Sequence, residues 1–88
     1  MGEPLTFGAL LKSIREGEEE TQDVFGERLG VSKQYVYQIE TGNRRVSLEQ
    51  AARFADALGY NRLGFVQLCM QDMLDSAGIE AKAKVEVA

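Results

Sequence analysis

The chain has 88 residues, 44% of them hydrophobic and 27% charged, with a single proline, a composition that describes one folded domain rather than a disordered or fibrous chain. Its one cysteine, Cys69, rules out an internal disulfide, and the lack of histidine removes the usual zinc ligand sets and the commonest general base. With no Gly-rich phosphate loop and no Ser or Cys nucleophile motif either, neither an enzyme nor a cofactor is expected. The N-terminus lacks a basic region followed by an apolar stretch, and no run of about 18 apolar residues occurs, so no membrane association is expected and the cytoplasm is the expected location.

In chain order, Thr6 is placed to cap a first helix over Phe7–Glu16, whose apolar side is Phe7, Leu10, Leu11 and Ile14, with Leu5 and Leu10 spaced as a hydrophobic staple. Thr21 opens a second helix through Val24, Phe25 and Leu29, which ends at Gly30. Ser32 caps a third helix over Lys33–Thr41, with Val31 and Val36 as its staple, Ile39 on its buried side and Gly42 as its stop. Asn43-Arg44-Arg45 reads as a loop. Ser47-Leu48-Glu49-Gln50 then fits a capping box for a fourth helix, apolar at Leu48, Ala51, Ala52, Phe54, Ala55 and Leu58 and closed by Gly59. Asn61 caps a fifth, with Tyr60 stapled to Phe65, which continues to Ala77. From Ile79 the apolar residues Ala81, Ala83, Val85 and Val87 alternate with charged ones, the period of a short β-strand.

The formal net charge of −4 is unfavourable for a nucleic-acid partner, but its distribution is uneven. Residues 1–27 carry two basic and seven acidic groups, residues 28–53 five basic and two acidic, and residues 54–88 three basic and five acidic. The positive stretch therefore contains the third helix. That helix follows the second across the very short turn Leu29-Gly30-Val31-Ser32, a tight corner of the kind that presents a helix to a DNA groove. Gly26 is expected where helix two passes close to helix three, and Gly30 where the turn needs a positive φ.

Through Thr21-Gln22, Gly26, Leu29-Gly30-Val31-Ser32 and Gln38-Ile39-Glu40-Thr41-Gly42 the sequence resembles the lambda-repressor-like, Cro/XRE-type helix-turn-helix family. The resemblance extends from Phe7 to about Gly59. It implies a phage-repressor-like domain with its third helix in the major groove; with the five helices read above, the expected fold is an all-α, five-helix DNA-binding domain over residues 1–78 with its helix-turn-helix at 22–41. It also implies that Gln22 touches a phosphate, that Lys33, Gln34, Tyr37, Gln38 and Thr41 face the bases, and that Arg15 and Glu40 form an inter-helix ion pair. The residue types suit base reading: Gln pairs with adenine N6 and N7, Lys donates to guanine O6 and N7, and an aromatic edge or Thr methyl rests on a thymine methyl. Asn43, Arg44 and Arg45 join the candidate DNA-binding set, the two arginines as backbone or minor-groove contacts, while Tyr35 either touches a phosphate or packs on its neighbours. Glu18 and Glu20 stand where the family has a basic and an apolar residue, which implies repulsion from phosphate near the start of helix two. Gly26 stands where alanine is common, and the glycine is expected to fit sterically at a cost of about 1 kcal/mol in helix propensity.

A homodimer is expected, because the fifth helix carries apolar residues on two faces. Cys69 suits a core position, and with Phe65, Leu68 and Met73 it belongs to the candidate dimer interface, together with Ala83, Val85 and Val87 of a strand-like dimerisation tail at 79–88. Antiparallel pairing of two tails about Lys84 would set Lys82 opposite Glu86 and Ala83 opposite Val85. Such a dimer would hold two recognition helices roughly 34 Å apart on an inverted-repeat operator in double-stranded DNA. The expected function is a transcriptional regulator, most simply a repressor; the alternative is an antitoxin or adaptor that holds a toxin or other protein partner.

Overall fold

The computed structural model describes residues 6–78, which form five α-helices and, among the described residues, no strand. The chain divides into two compact units, Met1–Arg45 and Val46–Ala88. In the first lie α1 (Phe7–Gly17), α2 (Gln22–Leu29) and α3 (Lys33–Glu40); in the second lie α4 (Leu48–Leu58) and α5 (Arg62–Ser76).

Each helix starts where a short polar side chain can satisfy a backbone N–H that has no partner inside the helix. Thr6 Oγ1 accepts from the amide of Ala9 at 3.0 Å, Thr21 Oγ1 from Val24 at 3.2 Å, Ser32 Oγ from Tyr35 at 3.0 Å, Ser47 Oγ from Gln50 at 3.1 Å and Asn61 Oδ1 from Gly64 at 3.1 Å. Such a cap is worth about 1 kcal/mol. The second helix ends in a left-handed residue, Gly30 at φ 77°, and the amide of Val31 closes back on the Gly26 carbonyl at 2.9 Å.

In the first unit α3 packs against both α1 and α2. Its buried side chains Val36 and Ile39 join Phe7, Leu11, Ile14 and Phe25 in the set of buried apolar residues, and Phe25 is completely shielded. Two glycines permit close approaches in this unit. A Cβ on Gly8 would stand 2.1 Å from the Ile39 carbonyl oxygen, so α1 crosses the end of α3 with no room for a methyl group. A Cβ on Gly26 would stand 2.7 Å from the Val31 carbonyl oxygen. Alanine therefore does not fit at position 26 as the backbone stands, and the close neighbour is the turn itself rather than the body of α3.

In the second unit α4 buries Ala51, Phe54, Ala55 and Leu58, and α5 packs on it. Tyr60, just ahead of α5, stacks on Phe65 with ring centroids 5.7 Å apart and planes 22° from parallel. Phe65 and Cys69, one helical turn apart, are 4% and 3% exposed. The Cys69 thiol donates to the Val46 carbonyl at 3.1 Å.

These burials correct the expectation that Phe65 and Cys69 face a partner. Periodicity gives α5 two apolar faces without saying which turns inward, and the chain itself covers the one that carries these two residues. Leu68 and Met73 are half-buried, and Leu63 is 40% exposed. The tail at 79–88, with Ala83, Val85 and Val87, and the Leu5 half of the first staple lie outside the described residues. No described helix is long and apolar enough to cross a membrane.

The two kinds of helical glycine predict opposite outcomes on denaturant unfolding. Gly8→Ala should lower stability by at least about 2 kcal/mol, because the backbone at Ile39 must move to admit the methyl. Gly64→Ala, in open space within α5, should raise it by up to about 1 kcal/mol through helix propensity.

Burial, and then the charge of Asp72, pushes the Cys69 thiol from 9.0 up to about 11. The folded protein thus holds this proton more tightly than the unfolded chain does. The associated stability is fully present below pH 9 and falls as the pH rises from about 9 towards 11. Thermal melts of the native chain and Cys69→Ala across that window should converge as the pH rises, and Cys69 should resist alkylation at pH 8 until the chain unfolds.

Candidate nucleic-acid interface

Helix α3 is anchored on one side and open on the other. Val36 and Ile39 point inward at 1% and 2% exposure, while Lys33, Gln34, Tyr37 and Thr41 are exposed and Gln38 is half-exposed. The anchored side sets the helix angle, and the open side carries donors and one aromatic ring at helical spacing. Thr41 is committed locally, its hydroxyl donating to the Tyr37 carbonyl at 2.9 Å and its Oγ1 accepting from Asn43 Nδ2 at 3.1 Å.

At the C-terminal end of α3, Glu40 is the meeting point of three helices. Its carboxylate accepts from Arg15 Nε at 2.7 Å and Arg15 Nη2 at 3.0 Å, a two-pronged pair from α1 to α3. It also accepts from Gln22 Nε2 of α2 at 3.0 Å. The third guanidinium nitrogen, Arg15 Nη1, donates to the Glu20 carbonyl at 3.0 Å. The Glu40 side chain is only 3% exposed and that of Arg15 14%, so the charges neutralise each other largely out of water. The Glu40 hydrogen bond is the main cause that lifts the Arg15 pKa above its ordinary value, against the opposing effect of burial. The structure thus brings Arg15 and Glu40 together and gives Gln22, assigned by resemblance to a phosphate, an internal partner on one of its two amide hydrogens.

Beyond α3 the backbone doubles back. Gly42 takes φ 81°, and the amides of Asn43 and Arg44 both donate to the Gln38 carbonyl, at 2.8 and 3.1 Å. This return lays the Arg44 guanidinium over the Tyr35 ring, 4.6 Å from its centroid, and Arg44 Nε donates to Gln38 Oε1 at 2.8 Å. Tyr35 is half-buried, with its ring against the Arg44 guanidinium. Arg45, Lys33 and Gln34 are exposed, and neither Arg45 nor Lys33 joins an ion pair among the described residues.

The acidic run ahead of α2 is partly neutralised from within. Arg28 Nη1 reaches both Glu20 carboxylate oxygens, at 2.9 and 2.8 Å, and also pairs with Glu18. A sequence reading that treats Glu18 and Glu20 only as charges facing phosphate misses this cation, which stands one helix later.

Glu40→Ala should cost about 3 kcal/mol on urea unfolding, because it leaves Arg15 with a poorly hydrated, unpaired charge. Arg15→Ala with Glu40→Ala should cost less than the two single losses combined, the sign of direct coupling.

The sequence pattern of the helix-turn-helix domain family HTH_31 matches residues 6–62, more than half of the chain. No curated protein matches the sequence. Among solved structures, a Nostoc punctiforme protein described as an antidote protein of a plasmid maintenance system is 26% identical, with TM-score 0.76 over 86% of this chain and 84% of its own. The clp gene regulator ClgR from Corynebacterium glutamicum is 31% identical, with TM-score 0.62 over 81% of this chain and 96% of its own. The restriction-modification controller protein C.AhdI from Aeromonas hydrophila is 29% identical, with TM-score 0.59 over 67% of this chain and 89% of its own. The pattern match and the likeness to ClgR lead to one conclusion: the chain belongs to the helix-turn-helix family.

Proposed function

We propose that the protein is a sequence-specific transcription regulator, a repressor of Cro/XRE type, that binds double-stranded DNA as a homodimer on an inverted-repeat operator. The observation that carries this reading is the open face of α3, where Lys33, Gln34, Tyr37 and Gln38 stand clear of the buried Val36 and Ile39 with Arg44 and Arg45 beside them. Base-reading side chains on a rigid helix, with cations at its end, are what major-groove recognition requires. The likeness to a gene regulator and to a controller protein supports the same reading. In this reading residues 1–78 are the DNA-binding domain, the segment 79–88 serves dimerisation with Leu68 and Met73, and the protein works in the cytoplasm.

A second reading is favoured by the likeness to the Nostoc antidote protein, which spans most of both chains. In it the protein holds a protein partner in a plasmid maintenance system, and DNA binding serves its own regulation. A gene for a toxic partner beside this one would select the second reading, and its absence the first.

Selection of binding sites from random duplex DNA tests the proposal. A two-fold symmetric site should emerge, and light scattering should give a dimer at tens of micromolar; an asymmetric site or a monomer would overturn the dimeric repressor. Gln34→Ala should relax preference at one base pair per half-site by about 1–3 kcal/mol. Arg45→Ala should instead weaken all duplexes alike and reduce the salt slope by about one unit.

A further inference from the structure

Arg44 is the natural candidate for a phosphate contact, since it is exposed, cationic and next to the recognition helix. Its geometry assigns it other work. The Gly42 turn ties the Arg44 amide to the Gln38 carbonyl, the Tyr35 ring supports the guanidinium at 4.6 Å, and Nε donates to Gln38 Oε1 at 2.8 Å. The turn and the ring thus place the guanidinium, whose Nε meets the Gln38 side-chain amide. An arginine has donors and no acceptor, so the atom of Gln38 that meets it must be the oxygen. Turning the amide over would set NH2 against N–H and lose the bond.

Resting on the DNA-binding reading above, we propose that Arg44, held by Tyr35, is a positioning residue that fixes the polarity of the Gln38 amide and thereby the base that Gln38 reads. The clamped oxygen keeps its second lone pair, and the nitrogen keeps both hydrogens outside the clamp. This combination matches the major-groove edge of adenine, where N7 accepts and N6 donates. A glutamine free to turn over also presents its oxygen alone, which accepts from cytosine N4 and blurs the choice. Gln38 therefore specifies adenine because of residue 44, and a substitution at residue 44 changes the recognised sequence without touching a base.

The test separates positioning from phosphate contact by holding charge constant. Arg44→Lys keeps the cation but loses the planar group that stacks and donates together. Tyr35→Leu removes the support, and Tyr35→Phe retains it. Sites would be selected from random duplex DNA with each chain, and affinity followed against salt, after circular dichroism has shown native helix content. Arg44→Lys and Tyr35→Leu should keep the wild-type salt slope yet lose about tenfold or more of the preference at a single base pair, the one that Gln38→Ala also relaxes. Tyr35→Phe should retain that preference, and Arg44→Lys in a Gln38→Ala background should lose nothing more. If Arg44→Lys leaves every base preference intact, or if Arg44→Ala lowers the affinity for all duplexes equally with no change at the Gln38 position, the positioning role is overturned while DNA binding stands. If the unaltered chain selects no site at all, the DNA-binding reading fails, and this inference with it.

Discussion

The architecture of the first unit depends on one largely shielded charge pair. Arg15 of α1 and Glu40 of α3 are linked by two hydrogen bonds, and Gln22 of α2 adds a third to the same carboxylate. Two charges largely withdrawn from water add little net stability when their hydration loss is counted, but they penalise arrangements that separate them. What the pair supplies is therefore angle. Every other register of the three helices would leave a bare carboxylate or guanidinium in a poorly hydrated place, so α3 is held in one orientation and its outer face is presented as a rigid surface.

Apolar packing complements this constraint without duplicating it. Phe25, Val36 and Ile39 are almost wholly buried, and each removes apolar area worth about 2 kcal/mol from water, but such contacts tolerate small rotations. Gly8 narrows the tolerance from the other side: α1 lies so close to the Ile39 carbonyl that no side chain fits between them. Attraction at Glu40 and steric exclusion at Gly8, both near the C-terminal end of α3, together fix the helix end from which Arg44 departs.

Much of this was legible in the amino acids. The five caps could be found because a Ser, Thr or Asn just before an apolar period acts through its own neighbours, and no tertiary information is needed to place it. The Gly30 turn is local in the same way. What was not legible depends on distant atoms. Nothing in the flanking sequence distinguishes Gly8 from an ordinary helical glycine, because the atom that excludes a methyl lies on residue 39. The two faces of α5 could be listed but not ranked, and the inward position of Phe65 and Cys69 emerges only when α4 is in place. The contact between Arg44 and Gln38 spans six residues and an irregular turn, a distance at which neither helical nor strand periodicity gives a signal.

The caps also bear on how quickly the chain acquires its shape. Each of the five helices carries, within four residues of its own start, the hydrogen bond that offsets part of the unfavourable first turn. Helix nuclei can thus form independently and many at a time, before any long loop has closed. Folding dominated by such neighbouring contacts belongs to the microsecond-to-millisecond class, far faster than sheets of similar size. A newly made chain that folds on this scale exposes its apolar surface to other chains only briefly.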